Sequence, residues 1–379
     1  MSPKSKKEYT KQIKTRYKNS TKQAKGLILD EFCKVCNYNR KYAIRILNSN
    51  FTPSHKNNVS KRGHKKQYTD PLIKQILWDI CVATNLPCSK RLKAILPLWL
   101  PHYDYEVPEQ VYLQLISISP ATIDRIMKPD RDKLPKRGLS TTKPGSLLKK
   151  HIPVKTEQWN ETVPGFIEVD AVAHCYNSTA GMFAYTINSV DIATQWTEQR
   201  AVWGKGEQGV LNAIKNIEIS LPFELKGFDC DNGSEFLNWH LYRYFVQREK
   251  PVRFTRSRPY RKNDNAHIEG KNWTHIRQYL GYKRLDKIEW VQQLNELYTT
   301  EWKLYFNFFI PSVKLQEKVR IGSKTIKKYD QPKTPFQRIL ESTNVSKSIK
   351  LELKKEYEKL NPFLLQRKMV AKIKTIIKG

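Results

Sequence analysis

Three acidic residues occupy positions where a folding chain has little reason to put a charge. Asp170 closes the strand-like run Phe166-Ile167-Glu168-Val169-Asp170, and an apolar strand interior rejects a carboxylate unless something compensates it. Asp231 lies 61 positions on, after Phe228-Asp229-Cys230 and before Asn232-Gly233, residues that turn a chain sharply and leave the carboxylate at a strand tip. Glu269, 38 positions further, opens a helical segment after Asn263-Asp264-Asn265-Ala266, on the face shared with Trp273 and near Arg277. Carboxylate oxygen is the donor that Mg²⁺ prefers. Phosphodiester transfer without a covalent intermediate needs an activated oxygen nucleophile, a stabilised leaving oxygen and neutralised charge. Two Mg²⁺ ions, or Mn²⁺ in their place, held by Asp170, Asp231 and Glu269 would meet all three needs. Taken alone the triple is weak, because 36 acidic residues offer many such sets.

Neighbouring residues compete for these roles. Asp229 and Glu168 each lie two residues from a proposed ligand, on the same strand face. The Asn-Gly turn favours Asp231 over Asp229, which leaves Asp229 and Glu168 beside the site or against a neighbouring base. Asp191, Glu235 and Asp264 read as turn or cap residues before they read as ligands. His267 has two readings, a phosphate contact or a solvated loop residue. Arg256, Arg258, Arg261, Lys262 and Lys271 bracket Glu269 and form a track for a DNA backbone. Tyr260 and Trp273 are candidates to stack on an unpaired base, although a Trp placed like Trp273 is more often a core residue than a base platform.

Two segments, Asp231-Asn232-Gly233-Ser234-Glu235-Phe236 and Ser257-Arg258-Pro259-Tyr260-Arg261-Lys262-Asn263-Asp264-Asn265-Ala266-His267-Ile268-Glu269, together resemble the retroviral-integrase superfamily of transposases. The resemblance implies an insertion-sequence transposase whose core is similar to the ribonuclease-H fold, with Asp170, Asp231 and Glu269 as catalytic metal ligands. It covers about residues 160–310. The spacing of 38 between the last two acids is slightly longer than the family usually shows, as one longer loop would make it. The amino-terminal region resembles, less specifically, the end-binding region of such transposases. The tail after residue 311 matches only loosely, and the His-His-Cys-Cys zinc module of the retroviral kind has no counterpart in the sequence.

Acids so placed need an α/β scaffold. Stretches 165–175, 183–191 and 196–202 are rich in Val, Ile, Thr and aromatic residues and predict strands, followed by a helix over 205–219 and a strand ending at Asp231. Ahead of them the pattern is helical. Residues 1–18 are a Lys-rich lead-in with one helix, and Thr21 to Phe32 carries apolar residues at helical spacing. Asn37-Tyr38-Asn39 then breaks the chain before Arg40 to Leu47. In this helix-turn-helix pattern Arg40, Lys41 and Arg45 form a basic face for the major groove, while Ala43, Ile44 and Leu47 pack inward. A helical hairpin with a solvated cationic face is the plainer alternative. Residues 70–98 predict two more helices, interrupted near 85–87, and a further pair ends in Ser119 to Met127. There Ser119 caps, Pro120 suits the first turn, and Thr122, Asp124 and Arg125 face outward as a second recognition helix. Residues 128–157 have a linker's composition, and the tail closes with helices over 351–360 and 361–377. The chain thus reads as multidomain. All-α helix-turn-helix units occupy 1–60 and 61–130, a basic linker 131–157, an α/β ribonuclease-H-like integrase core 158–310, and a small, mainly α, basic region 311–379.

The bulk charge agrees with a polyphosphate partner. Lys and Arg number 68 against 36 Asp and Glu, a net charge of +32, which points to double-stranded DNA. Nine Trp and nineteen Tyr supply more core-forming material than a basic tail or membrane-surface segment has. With no run of about 18 apolar residues and no apolar leader, the expected setting is cytoplasmic, on the nucleoid and without a membrane. Six scattered Cys suit a reduced compartment. Cys33 and Cys36 form a C-x-x-C inside a helical stretch with no second pair, so helix packing outranks a zinc site. The expected function is a DNA transposase that binds terminal repeats, assembles on DNA as a homo-oligomer, cleaves a strand and transfers it to target DNA. One alternative is a sequence-specific DNA-binding regulator with an idle integrase-like core. Another is a nuclease acting on RNA in a hybrid duplex, against which two tandem major-groove readers argue.

Overall fold

The computed structural model of the chain describes residues 1–49, 67–133, 161–257, 266–321 and 324–378. It divides into two compact units, Met1–Lys66 and Gln67–Gly379. In the first, α1 (Pro3–Lys18), α2 (Lys22–Cys36) and α3 (Arg40–Asn48) bury Ile13, Tyr17, Ile28, Leu29, Phe32, Cys36, Ala43 and Leu47 in one core. The Lys-rich lead-in is therefore a full member of the bundle. α2 ends where Asn37 turns left-handed at φ 51°, a conformation Asn tolerates. Asn39 then caps α3, its side chain accepting from the Lys41 N–H at 3.0 Å. Cys36 is buried in this core, so the C-x-x-C pair serves helix packing. One inward residue differs from the sequence expectation: Ile44 is 39% exposed, and Ile46 packs against the core instead. The helical period aligns 46 and 47 with 43 and swings 44 to the outside.

The second unit opens with α4 (Pro71–Ala83), α5 (Ser89–Trp99), α6 (Glu109–Ser117) and α7 (Pro120–Arg131). Asn85 and Leu86, both at positive φ, make the break between α4 and α5. The Ser119 hydroxyl caps α7 by accepting from the Thr122 N–H at 3.2 Å. These four helices share one core with α12 (Glu289–Leu297), α13 (Lys303–Phe309), α14 (Pro335–Glu341), α15 (Lys347–Tyr357) and α16 (Pro362–Lys378). Trp99 meets Phe363 at 4.7 Å between ring centroids, Tyr305 donates to the Ala83 carbonyl at 2.9 Å, and Arg91 donates to the Pro311 carbonyl at 2.8 Å. Packing thus runs across the boundaries read at 130 and 310, because each helix set covers the other's apolar face. Most of the linker read at 131–157 lies outside the described residues.

Between these helices in sequence lies a five-stranded sheet of β1 (Phe166–Ala173), β2 (Ala184–Asp191), β3 (Thr197–Trp203), β4 (Gly227–Cys230) and β5 (Arg253–Arg256). Its order is β3-β2-β1-β4-β5; the first three strands are antiparallel, and β4 and β5 run parallel to β1. α8 (Glu207–Ser220) and α9 (Trp239–Val246) cover one face, where Ile167, Val169, Ile187, Phe228, Cys230 and Phe254 are buried with Ile214, Ile217 and Phe245. β5 gave no sequence signal, since its four residues are Phe254 and Thr255, which face opposite sides of the sheet, between two arginines. The tail adds a hairpin, β6 (Leu315–Ile321) with β7 (Lys324–Tyr329), to the expected helices. Among the described residues no helix is long and apolar enough to cross a membrane.

Candidate active site

The second face of the sheet is polar where β1, β2 and β4 meet. Glu168, Asp170 and Val172 alternate to the side opposite Ile167 and Val169. The register sets Asp170 opposite Asn188 and Asn188 opposite Gln199; a neighbouring row sets Glu168 beside Asp229 and Asp229 beside Thr255. Over β1 and β2 lies a helix made of α10 (Ala266–Lys271), a π-helical stretch (Asn272–Arg277) and α11 (Gln278–Leu280). Glu168 fastens its amino-terminal end, accepting from the backbone N–H groups of His267 at 3.1 Å and Ile268 at 2.9 Å. Asn272 fastens its middle by donating Nδ2 to Asp170 Oδ2 at 2.6 Å. Single π turns inside α-helices occur often beside functional sites.

Val169 pairs with Cys230 across the parallel strands, so the next residues, Asp170 and Asp231, stand side by side at the end of β4. Burial, and then the Asp231 charge, push the Asp170 carboxyl up to about 7, although the residue as a whole is only half-buried. The Ala171 N–H at 2.8 Å and the Asn272 amide pull the other way. Asp231 is raised as well, first by burial, with Glu235 adding repulsion and the Gly233 N–H and Lys205 opposing it. Glu235 is buried beside them and pairs with Lys205 at 2.8 Å. Gly233 leaves no room for a side chain: a Cβ there would come within 2.7 Å of the Glu235 carboxyl and 2.9 Å of Asp231 Oδ1. Among the described residues no cation pairs directly with Asp170 or Asp231. Oxygen donors that repel one another in a desolvated place, with Lys205 paired to Glu235 and not to them, fit a hard divalent cation.

Glu269 stands apart from this pair. It is exposed, on the helix that Asn272 docks, one turn before Asn272 itself. Among the described residues no three His, Cys, Asp or Glu side chains are gathered to hold a metal ion, so Asp170 and Asp231 meet while Glu269 is not drawn in with them. The rivals are placed by their bonds. Asp229 is buried in the row below, where it accepts from the Thr255 hydroxyl. Glu168 is 1% exposed as a helix cap, which corrects the idea that it reaches a base. Asp191 accepts from Gly165 and Thr194 in a turn, and His267 meets Gln195 at 3.2 Å. Lys205, Asn188 and Asn272 escaped the sequence reading as site residues, and Glu235, read first as a turn residue, stands beside the pair. Only Asn272 carried a usable signal, its helical spacing of three from Glu269.

The candidate DNA contacts divide the same way. Arg40, Lys41 and Arg45 are exposed on α3; Arg40 reaches Asp30, and Arg45 lies 5.2 Å over the Tyr42 ring. On α7, Arg125 is exposed and donates to the half-buried Thr122 hydroxyl at 3.0 Å, while Asp124 is tied to Ser89 and Arg131. Arg256 and Lys271 are corrections, for each is only 6% exposed. Arg256 braces the turn after Asp231 by donating to Asn232 Oδ1 at 2.9 Å. Lys271 follows buried Ile268 by three residues and so turns inward with it. Burial, with Arg91 and Arg338, pushes its ammonium down to about 7. Neither residue lines an open track. Arg258, Tyr260, Arg261 and Lys262 lie outside the described residues, and Trp273 is 37% exposed.

No family model matches the chain. Among solved structures it is similar, at a TM-score of 0.32 and 12% identity over 58% of this chain and 82% of the other, to a chain of the simian T-cell lymphotropic virus intasome in complex with the PP2A regulatory subunit B56 gamma. Among curated proteins it is 37% identical over 338 residues, 87% of this chain and 94% of the relative, to the uncharacterized protein y4rM of Sinorhizobium fredii. At that identity and coverage, the chain belongs to the family of y4rM.

Proposed function

We propose that the chain is a DNA transposase with a ribonuclease-H-like integrase core, cleaving a DNA strand and transferring the freed 3′ hydroxyl to target DNA. The observation that carries this reading is the pair Asp170 and Asp231, side by side on neighbouring parallel strands, desolvated and mutually repelling. The mixed sheet, three antiparallel strands extended on the β1 side by two parallel ones, supports the ribonuclease-H-like assignment. Asp170 and Asp231 would hold a divalent cation, with Glu269 as the third ligand once its own side chain swings from solvent toward them on the docked helix. A bound Mg²⁺ supplies Lewis-acid polarisation of a phosphate oxygen and lowers the pKa of an attacking oxygen. Lys205 holds the neighbouring Glu235 in place. The exposed cations of α3 and the net charge of +32 suit a DNA backbone as partner, and joining two ends calls for a homo-oligomer on the DNA.

A regulator with an idle core is the second reading, favoured by the exposure of Glu269. One experiment separates the two. Full-length protein is incubated with Mg²⁺ and labelled duplexes drawn from the DNA flanking its coding sequence. The transposase reading expects nicked and joined products, absent with Asp170→Asn, Asp231→Asn and Glu269→Gln, while duplex binding persists. Binding without products by the wild type would establish the regulator. Joining retained by Asp231→Asn and lost with Asp229→Asn would move the ligand to Asp229.

A further inference from the structure

The row that contains Asp170 continues as a directed chain of hydrogen bonds. Gln199 Nε2 donates to Asn188 Oδ1 at 2.8 Å, Asn188 Nδ2 donates to Asn272 Oδ1 at 2.7 Å, and Asn272 Nδ2 donates to Asp170 Oδ2 at 2.6 Å. Asn188 and Gln199 are fully buried. A carboxylate that holds a cation offers its protein partners only lone pairs. Asn272 must therefore present its amide nitrogen to Asp170, which leaves Oδ1 for Asn188, and Asn188 imposes the same orientation on Gln199. Among the described residues Gln199 Oε1, at the far end, is buried without a partner. An orphaned buried acceptor is destabilising, so the direction of the chain is not explained by the stability of β3. The carboxylate at its other end explains it.

We propose that Gln199, Asn188 and Asn272 are positioning residues, an amide relay that fixes the rotation of the Asp170 carboxylate and pins the Glu269 helix over it. Asp170 Oδ1 is held by the Ala171 N–H and Oδ2 by Asn272, which sets the carboxylate plane and leaves a lone pair on each oxygen. Glu269 sits between two clamps on its helix, Glu168 at His267 and Ile268 on one side and Asn272 on the other. The relay rests on the reading of Asp170 and Asp231 as a cation-holding pair.

The test is thermal unfolding of the full chain, titrated with MnCl₂ and with MgCl₂. Wild type is compared with Asn272→Ala, Asn188→Leu, Gln199→Leu and Asp170→Asn. Wild-type Tm should rise with either cation, and Asp170→Asn should not respond. Partners that orient a metal ligand typically change affinity 10- to 100-fold. The half-maximal concentration should therefore rise about tenfold or more in Asn272→Ala and Asn188→Leu, and less in Gln199→Leu, which also removes the orphan acceptor. A purely structural role would lower the metal-free Tm and leave the midpoints where they are. Unshifted midpoints beside a responsive wild type overturn the relay and leave the carboxylate pair standing. A wild type unresponsive to both cations overturns the pair and the relay together. Should Asn272→Ala fail to fold, Asn188→Leu carries the same test from the opposite side of the relay.

Discussion

On one face of the sheet Ile167, Val169, Phe228 and Phe254 meet α8 and α9; on the other, Glu168, Asp170, Asn188, Gln199 and Asp229 stand in rows under the 266–280 helix. Both faces belong to the same strands and are comparably buried, yet they gain stability differently. The apolar face gains from every atom withdrawn from water. On the polar face each desolvated carboxylate needs a compensating bond, and Asp170 and Asp231 find only partial ones. A fold under pressure for stability alone would have filled both faces alike. The polar one is where the chain gives up stability, which is the usual mark of a site.

The largest effect expected from this contrast is on the apolar side. Phe228→Ala should lower the free energy of unfolding by about 3–5 kcal/mol in urea denaturation, since Phe228 is buried against Phe245 at 4.6 Å. A loss below about 1 kcal/mol would mean that this face is not the main support of the sheet.

An intermediate effect comes from His174, fully buried and 2.8 Å from the Thr186 hydroxyl. Burial, with Arg277 nearby, depresses its ring to about 3, while the unfolded chain binds that proton near 6.5. The depressed base contributes stability that is whole above about 6.5 and is lost as the pH falls from there toward 3. His275, also buried and depressed, acts in the same direction. Stability should drop by roughly 1.4 kcal/mol per pH unit for each such group below about 6. His174→Gln should visibly flatten the curve between pH 6 and 4; an unchanged slope would show that His174 is not kept neutral by the fold.

The smallest effect has the opposite sign. Asp170→Asn keeps the shape of the side chain and removes its repulsion with Asp231. In chelator at neutral pH it should raise stability by on the order of 1–2 kcal/mol. A clear loss there would mean that the carboxylate is compensated by groups other than Asn272 and Ala171.

Much of the scaffold was legible from residue pattern. β1, β2, β3, α2, α3 and α8 fall within a few residues of where β-branched runs, helical spacing and turn residues put them, because those signals are local. Ser119 and Asn39 cap as their types suggest. β5 was illegible, since four residues carry no period, and so was the outward turn of Ile44, which depends on what α1 and α2 leave to be covered. The burial of Arg256 and Lys271 was hidden for the same reason: a cation's sequence neighbours do not reveal which side of its element faces the core.

What the sequence determined by itself is a basic chain with helical units before an α/β region, and three acids at or near element ends. Residue type and local spacing suffice for that. Tertiary structure alone decided which acids meet. Parallel pairing of β1 with β4 sets Asp170 beside Asp231, and helix docking brings Asn272 to Asp170 and Glu168 to the helix end. These are contacts between residues 60 to about 100 positions apart, fixed by strand register and by where an apolar surface must be covered, and neither is written in any short stretch of the chain.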